Sequence, residues 1–274
     1  MTNTHKDSLI TLSLEEKIAY AKGIIREALE KFGRDKLLIA WTGGKDSTTM
    51  LWLYREVCKE LDVEKPRCMF IDEGHVFEEI LELVGQVKKA WDVNVITVKN
   101  IDVSDKAAGV GDMIRVADLN ARNRQEVARL GYTEEAFSFD PESYVGNHLM
   151  KTVAMNMFLE NDKVAALSTG IRWDEQEARL DEDFFSPRSN PDHIRVHPIL
   201  HFKERDIWDT IHKYKIPFCS LYYQGYRSLG AKGSTIKVSD IPAWEQDLEN
   251  TTERGGRKQG KEDIMAKLRD LGYM

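Results

Sequence analysis

The sequence has little cysteine, a deficit of positive charge and no long apolar run, and each shortage removes a class of protein. Its three cysteines, Cys58, Cys68 and Cys219, lie far apart. That spacing excludes a disulfide framework, a Cys-x-x-Cys redox pair and a zinc knuckle. Cys58 falls in an expected helix and Cys68 in an expected strand, where a free cysteine reads as a small buried hydrophobe. A net charge of −7 argues against general nucleic-acid or membrane-surface binding, while leaving room for a local basic pocket. No apolar stretch approaches the roughly 20 residues of a membrane span. Met1 to Ser8 is polar, without an apolar h-region, so no signal peptide is expected and the expected location is cytoplasmic.

What is present suits a soluble globular protein. The 274 residues are 42% hydrophobic and 31% charged, enough for one main core with a smaller appended region. Short apolar or β-branched runs alternate with longer segments of helical period. This predicts an α/β protein: a doubly wound, mainly parallel five-stranded sheet flanked by helices, with an irregular C-terminal extension. The expected strands are 37–41, 68–71, 93–98, 164–168 and 194–197, the last ended by Pro198. The expected helices span 13–32, 46–60, 77–90, 143–161 and 203–214, with a short last one at 264–271. Ser13-Leu14-Glu15-Glu16 reads as a capping box and Gly33 as the matching stop. Residues 99–140 read as a helical excursion over the sheet's edge. After about Tyr222 the chain becomes rich in Gly, Ser, Arg and Lys. The expected division is therefore 1–220, a nucleotide-binding α/β domain, and 221–274, a glycine- and arginine-rich tail packing over the site.

The most informative segment follows the first strand at once. Thr42-Gly43-Gly44-Lys45-Asp46-Ser47-Thr48-Thr49 runs directly into a helical stretch. Gly43 and Gly44 permit a tight turn and close approach of backbone N–H groups to an anion. Hydroxyls in the first helical turn sit where orphan N–H groups and the helix dipole favour phosphate. Lys45 adds a mobile cation, and Asp46 could cap the helix or hold a magnesium ion. An isolated Gly-Gly turn before a capped helix would read as structural. Here strand, Lys-Asp-Ser order and hydroxyl-rich turn agree on a phosphate loop, although neither G-x-x-x-x-G-K-[ST] nor G-x-G-x-x-G is present.

This segment resembles the S-G-G-x-D-S pyrophosphate loop of the adenine-nucleotide α-hydrolase (PP-loop) superfamily, with Thr42 in place of the first serine. The resemblance implies that ATP binds with its β- and γ-phosphates on Thr42, Gly43, Gly44, Lys45 and Ser47. Pyrophosphate then leaves as an acceptor attacks the α-phosphorus. Ile71-Asp72-Glu73-Gly74-His75-Val76-Phe77 is similar to the I-D-T-G-x-x-F segment of sulfonucleotide reductases and of the sulfate adenylyltransferase small subunit. There the strand end lies beside the adenine, which implies contacts from Phe70 and Asp72; alone, an acidic turn at a strand end is as often structural. The stretch from Gly170 to Arg179 is similar to G-x-R-x-x-E-x-x-R of the same families. Gly170 allows close passage of a ligand, and the planar forks of Arg172 and Arg179 suit phosphate or sulfate oxygens. The bland alternative is an exposed loop paired with Asp174, Glu175 and Glu177. His197 to Trp208 and Leu221 to Gly230 also resemble shared segments, the first read mainly as packing.

Two features then separate the branches. Assimilatory reductases continue with cluster-binding cysteines and need a nucleophilic thiol near the C-terminus. Here the continuation is Ala231-Lys232-Gly233-Ser234 and no cysteine follows Cys219, so thiol-dependent sulfonucleotide reduction is not expected. Thr252-Glu253-Arg254-Gly255-Gly256-Arg257 with a final Leu-Gly-Tyr resembles the ending of the adenylyltransferase small subunit, whose tail closes over the nucleotide.

What the resemblance implies is a nucleotidyltransferase using ATP and Mg2+, with sulfate as acceptor and adenylylsulfate and pyrophosphate as products. Lys45, Asp46 and Arg172 are the expected catalytic residues, with Asp46 as the metal contact and Arg179, Arg254 and Arg257 as further ligand contacts. The mixed anhydride is high in energy, so a GTPase large subunit is an implied partner; a homo-oligomer is left open. Two alternatives stand beside this reading. One is adenylation of another acceptor, such as a flavin or a thiolation substrate. The other is an adenine-nucleotide or sulfonucleotide binder of the phosphoadenylylsulfate reductase family without catalysis.

Overall fold

Apolar runs too short for helices become strands covered on both faces, and that decides the architecture. The structure, a computed structural model, describes residues 3–256. In chain order the first half comprises α1 (Asn3–Ile10), α2 (Leu14–Phe32), β1 (Leu37–Ala40), α3 (Lys45–Leu61), β2 (Arg67–Ile71), α4 (Glu78–Ala90) and β3 (Val95–Val98). Next come α5 (Ile101–Ser104), β4 (Met113–Arg115), α6 (Ala121–Arg129), β5 (Ala136–Ser138), α7 (Tyr144–Asn147) and α8 (Ala154–Asn161). The remainder holds β6 (Ala166–Ser168), β7 (Phe185–Arg188), β8 (His193–Val196) and α9 (Glu204–Tyr214). The expected last helix at 264–271 lies outside the described residues.

The main sheet has six strands in the order β3-β2-β1-β6-β8-β7. All pairings are parallel except β7 with β8. This corrects the expected five. Phe185-Ser186-Pro187-Arg188 hides its strand character because Pro187 cannot donate to a ladder; at the edge of a sheet that donor is not needed. The chain moves outward from β1 through β2 to β3, then returns to the other side of β1 as β6. Strand order therefore reverses between β1 and β6. In open α/β sheets ligands bind at the carboxyl ends of the strands flanking such a reversal.

The expected capping box is present: Ser13 N–H donates to Glu16 at 2.9 Å and Glu16 N–H to Ser13 Oγ at 3.4 Å. Leu37, Ile39 and Trp41 contribute to the core on one side of the sheet, with α2, α3 and α9. Leu38, Ala40 and Leu167 pack on the other with Met155 and Leu159 of α8. Residues 99–140 are more than a helical excursion. They include the antiparallel pair β4–β5 and a satellite core of Val103, Ile114, Val127 and Phe137 resting on Leu149 and Val153. Between α7 and α8 the helix widens into a π-helical stretch, His148–Val153, which a 3.6-residue period does not foretell.

Candidate functional site

The β1–α3 connection sits at the reversal of the sheet, and its own bonds shape it. Trp41 N–H still pairs with Met69 O at 2.9 Å, after which the chain leaves the sheet. Gly43 has φ +75°, and a β-carbon there would lie 2.7 Å from Ile80 Cγ2. Gly44 is the N-cap of α3 and makes no side-chain cap; Asp46, in the first turn, does not cap the helix. Ser47 Oγ accepts from Thr42 N–H at 3.2 Å and donates to Gly44 O at 3.1 Å, folding the loop onto itself. Across the reversal Gly170 passes so close that a β-carbon would lie 2.9 Å from Ser47 N and 3.0 Å from the Asp46 carbonyl carbon.

The cations expected to hold phosphate oxygens are instead engaged by carboxylates. Arg172, 0% exposed, donates from Nε to Asp174 at 2.8 Å, from Nη1 to Asp46 and from Nη2 to Glu253. Lys45 Nζ donates to Glu253 and lies 3.2 Å from Asp46 Oδ2 and 3.7 Å from Glu204. Arg227 holds Glu204 through two nitrogens, at 3.0 and 2.7 Å. Glu175 accepts from Arg254 at 3.1 Å and from Arg179. Five cations thus meet five carboxylates in one largely buried cluster. Burial opposes the charge on Lys45, but Glu253 and Glu204 outweigh it and hold its pKa above the ordinary lysine value. Burial likewise works against ionised Glu253, yet Arg172 and Lys45 hold its carboxyl well below the usual range.

A cleft of about 200 Å³ opens beside this cluster. The loop lines it with Thr42, Gly44, Lys45, Asp46 and Ser47; Phe70 and Ile71 form an apolar wall, and Gly170, Arg179 and Arg254 close another side. Gly43 and Asp72 are not among the lining residues; Asp72 accepts from Gly74 N–H at 2.9 Å and faces Lys99 at 3.6 Å. Arg172 stands behind the wall, and Arg257 lies outside the described residues. Glu73, Lys151, Tyr222 and Glu253 also line the cleft, although sequence did not single them out as site residues. Tyr222 Oη accepts the Lys45 N–H at 3.0 Å, and Glu73, Tyr222 and Glu253 lie inside the segments that resemble the family's. Lys151, on the π-helical stretch, carries no motif.

Asp46 has both oxygens turned toward cations, which does not fit the donor set a magnesium ion requires. Among the described residues no group of three or more His, Cys, Asp or Glu is arranged to hold a metal. His197 is held in the structure through Nδ1, 2.7 Å from Thr169 Oγ1, while its Nε2 lies 3.5 Å from Glu182. The three thiols are buried away from the cleft, their pKa values pushed up by burial to about 11 for Cys58 and Cys219 and about 12 for Cys68. No helix among the described residues is long and apolar enough to cross a membrane.

The chain is similar to known proteins in sequence and in fold. The family model described as the phosphoadenosine phosphosulfate reductase domain matches residues 36–237. The chain is similar to sulfate adenylyltransferase subunit 2 of Citrifermentans bemidjiense, 26% identical over 251 residues, covering 83% of this chain and 73% of that protein. It is also similar to adenosine 5'-phosphosulfate reductase of Bacillus mycoides, 22% identical over 237 residues, covering 86% and 88%. In fold it resembles Candida glabrata FMN adenylyltransferase, solved with FAD and inorganic pyrophosphate, at a TM-score of 0.61 and 18% identity over 93% of this chain and 80% of that one.

Proposed function

The chain belongs to the phosphoadenosine phosphosulfate reductase domain family, and from that premise we propose that it binds ATP in the cleft and transfers the adenylyl group to sulfate, releasing pyrophosphate. The observation that carries this reading is the glycine loop at the sheet's reversal, closed by Gly170 against Ser47 N at a distance no side chain would permit. The first turn of α3, whose N–H groups lack intrahelical partners, meets the cleft there, as phosphate binding requires.

In this reading the β- and γ-phosphates rest on Gly44, Lys45 and Ser47, whose loop Gly43 turns, and the adenine lies against Phe70. A sulfate oxygen forms a bond to the α-phosphorus, the bond from that phosphorus to the bridging oxygen breaks, and pyrophosphate leaves with the electron pair. Sulfate carries no proton to remove and is a weak nucleophile. The protein's contribution is therefore alignment and stabilisation of charge on the leaving group, not base catalysis. Lys45, Lys151, Arg179 and Arg254 are the cations lining the cleft; Arg172 stands behind them, held by Asp46, Asp174 and Glu253.

Two observations favour adenylyl transfer over reduction: every thiol of the chain is buried, and none lines the cleft. The name subunit 2 of the bacterial relative supports a partner subunit, and an uphill mixed anhydride gives a GTPase something to drive. The test is a pyrophosphate-release assay with ATP and a panel of acceptors, with and without a GTPase partner. Release dependent on sulfate or molybdate is expected. Release dependent on FMN instead would move the assignment to another acceptor, and none with any acceptor would leave a nucleotide-binding protein.

A further inference from the structure

Glu253 lines the same cleft as Lys45, but its carboxylate is spent on the two cations behind it. One oxygen meets Lys45 and the other meets Arg172 Nη2. A planar anion bridging two buried cations through separate oxygens is the geometry those cations would offer a phosphate or sulfate group. We propose that the Lys45–Arg172 pair is an oxyanion position whose resident occupant is the Glu253 carboxylate, displaced when a phosphate- or sulfate-class ligand enters. The inference rests on the reading of the cleft as an ATP site.

Charge balance makes the exchange necessary. With five cations matched by five carboxylates, the closed cluster offers an incoming polyanion little net attraction. Withdrawal of Glu253 leaves the cluster one positive charge in excess, centred on Lys45 and on Arg172, which keeps Asp46 and Asp174. Protonation does not release the carboxylate near neutrality, because its two partners keep it ionised; only a competing anion does. The backbone at this point is also suited to movement. Glu253 opens a single 3-10 turn, Glu253–Gly256, outside any strand or long helix. Its upstream anchor is Arg227, which donates to Thr251 O at 3.1 Å, and a β-carbon at Gly255 would meet nothing within 4 Å.

The test compares the wild-type chain with Glu253→Gln and Glu253→Ala by calorimetry against inorganic sulfate, pyrophosphate and ATP at fixed ionic strength. Removing a carboxylate that competes through charge-assisted hydrogen bonds should tighten binding about tenfold or more. Tightening confined to sulfate assigns the position to a free oxyanion, and tightening for pyrophosphate and ATP assigns it to the nucleotide's phosphates. In the wild-type chain, amides 252–255 should exchange hydrogen faster once the anion is bound. Unchanged or weaker binding of all three anions by both variants overturns the proposal, as does unchanged or slower exchange at 252–255. If ATP fails to bind either protein while sulfate or pyrophosphate gains, the ATP reading fails and the oxyanion position stands. If ATP turns over normally without any gain in the variants, the reverse holds.

Discussion

Arg172, in the loop after β6, donates to Asp46 in the first turn of α3, tying together the two segments that flank the reversal of strand order. The same guanidinium also holds Asp174 and Glu253. Replacing it with alanine strands three carboxylates around a buried hole. Loss of one partner from a buried ionic network costs about 3–5 kcal/mol, so urea unfolding of Arg172→Ala should shift by that amount. Arg205→Ala, which breaks an exposed pair with Glu249, should leave the midpoint almost unchanged. Equal effects of the two substitutions would refute the buried-network account.

Gly170 approaches backbone atoms, which cannot step aside as a side chain can. Gly170→Ala should therefore destabilise by about 1–3 kcal/mol and weaken ATP binding together with stability, because the displaced atoms belong to the phosphate loop. Gly85 provides the contrast: it lies inside α4 with nothing within 4 Å of a β-carbon. Gly85→Ala should stabilise by up to about 1 kcal/mol. Thermal melts of both variants, with and without ATP, check the pair.

Stability should fall with acid through buried histidines, of which His201 and His193 are each pushed down to about 4. Burial lowers the pKa of His201 from 6.5 to about 4, and the charge of Lys17 adds to it. The ring is packed by Tyr20, Phe184 and Phe202. The unfolded state therefore binds a proton that the folded state refuses between those two values. Stability contributed by the neutral ring is complete above 6.5 and declines as pH drops toward 4, by at most about 3 kcal/mol. His201→Phe should flatten the slope of urea stability against pH in that window. An unchanged slope would exclude His201 as its origin.

Much of the architecture was legible because hydrophobic period and capping chemistry agree in this chain. The Ser13–Glu16 box marks the start of α2, and the β1 run enters the Gly43–Gly44 turn where the chain needs positive φ. What stayed hidden is what tertiary context decides. Pro187 masks β7 until its edge position is known, and the helical period over 143–161 conceals a π-helical stretch carrying Lys151 into the cleft. Local sequence showed the arginines and offered Asp174 and Glu175 as partners, which they do hold, but gave no sign of Asp46 or Glu253 as partners. Arg172 and Glu253 are far apart in the chain, and only the folded tail reveals that the expected phosphate-binding cations already hold carboxylates. Arg172 correspondingly reads as an open ligand contact in sequence and as a buried residue already paired with carboxylates in the fold.

The central claim is that ATP is opened between its α- and β-phosphates on the Thr42–Ser47 loop. It is tested most directly by following the phosphorus resonances of ATP during turnover with sulfate, in the wild-type chain and in Ser47→Ala. The account predicts inorganic pyrophosphate and an adenylylated product in equal amounts, with Ser47→Ala slowed sharply. ADP and orthophosphate as products, or full activity in Ser47→Ala, would contradict it.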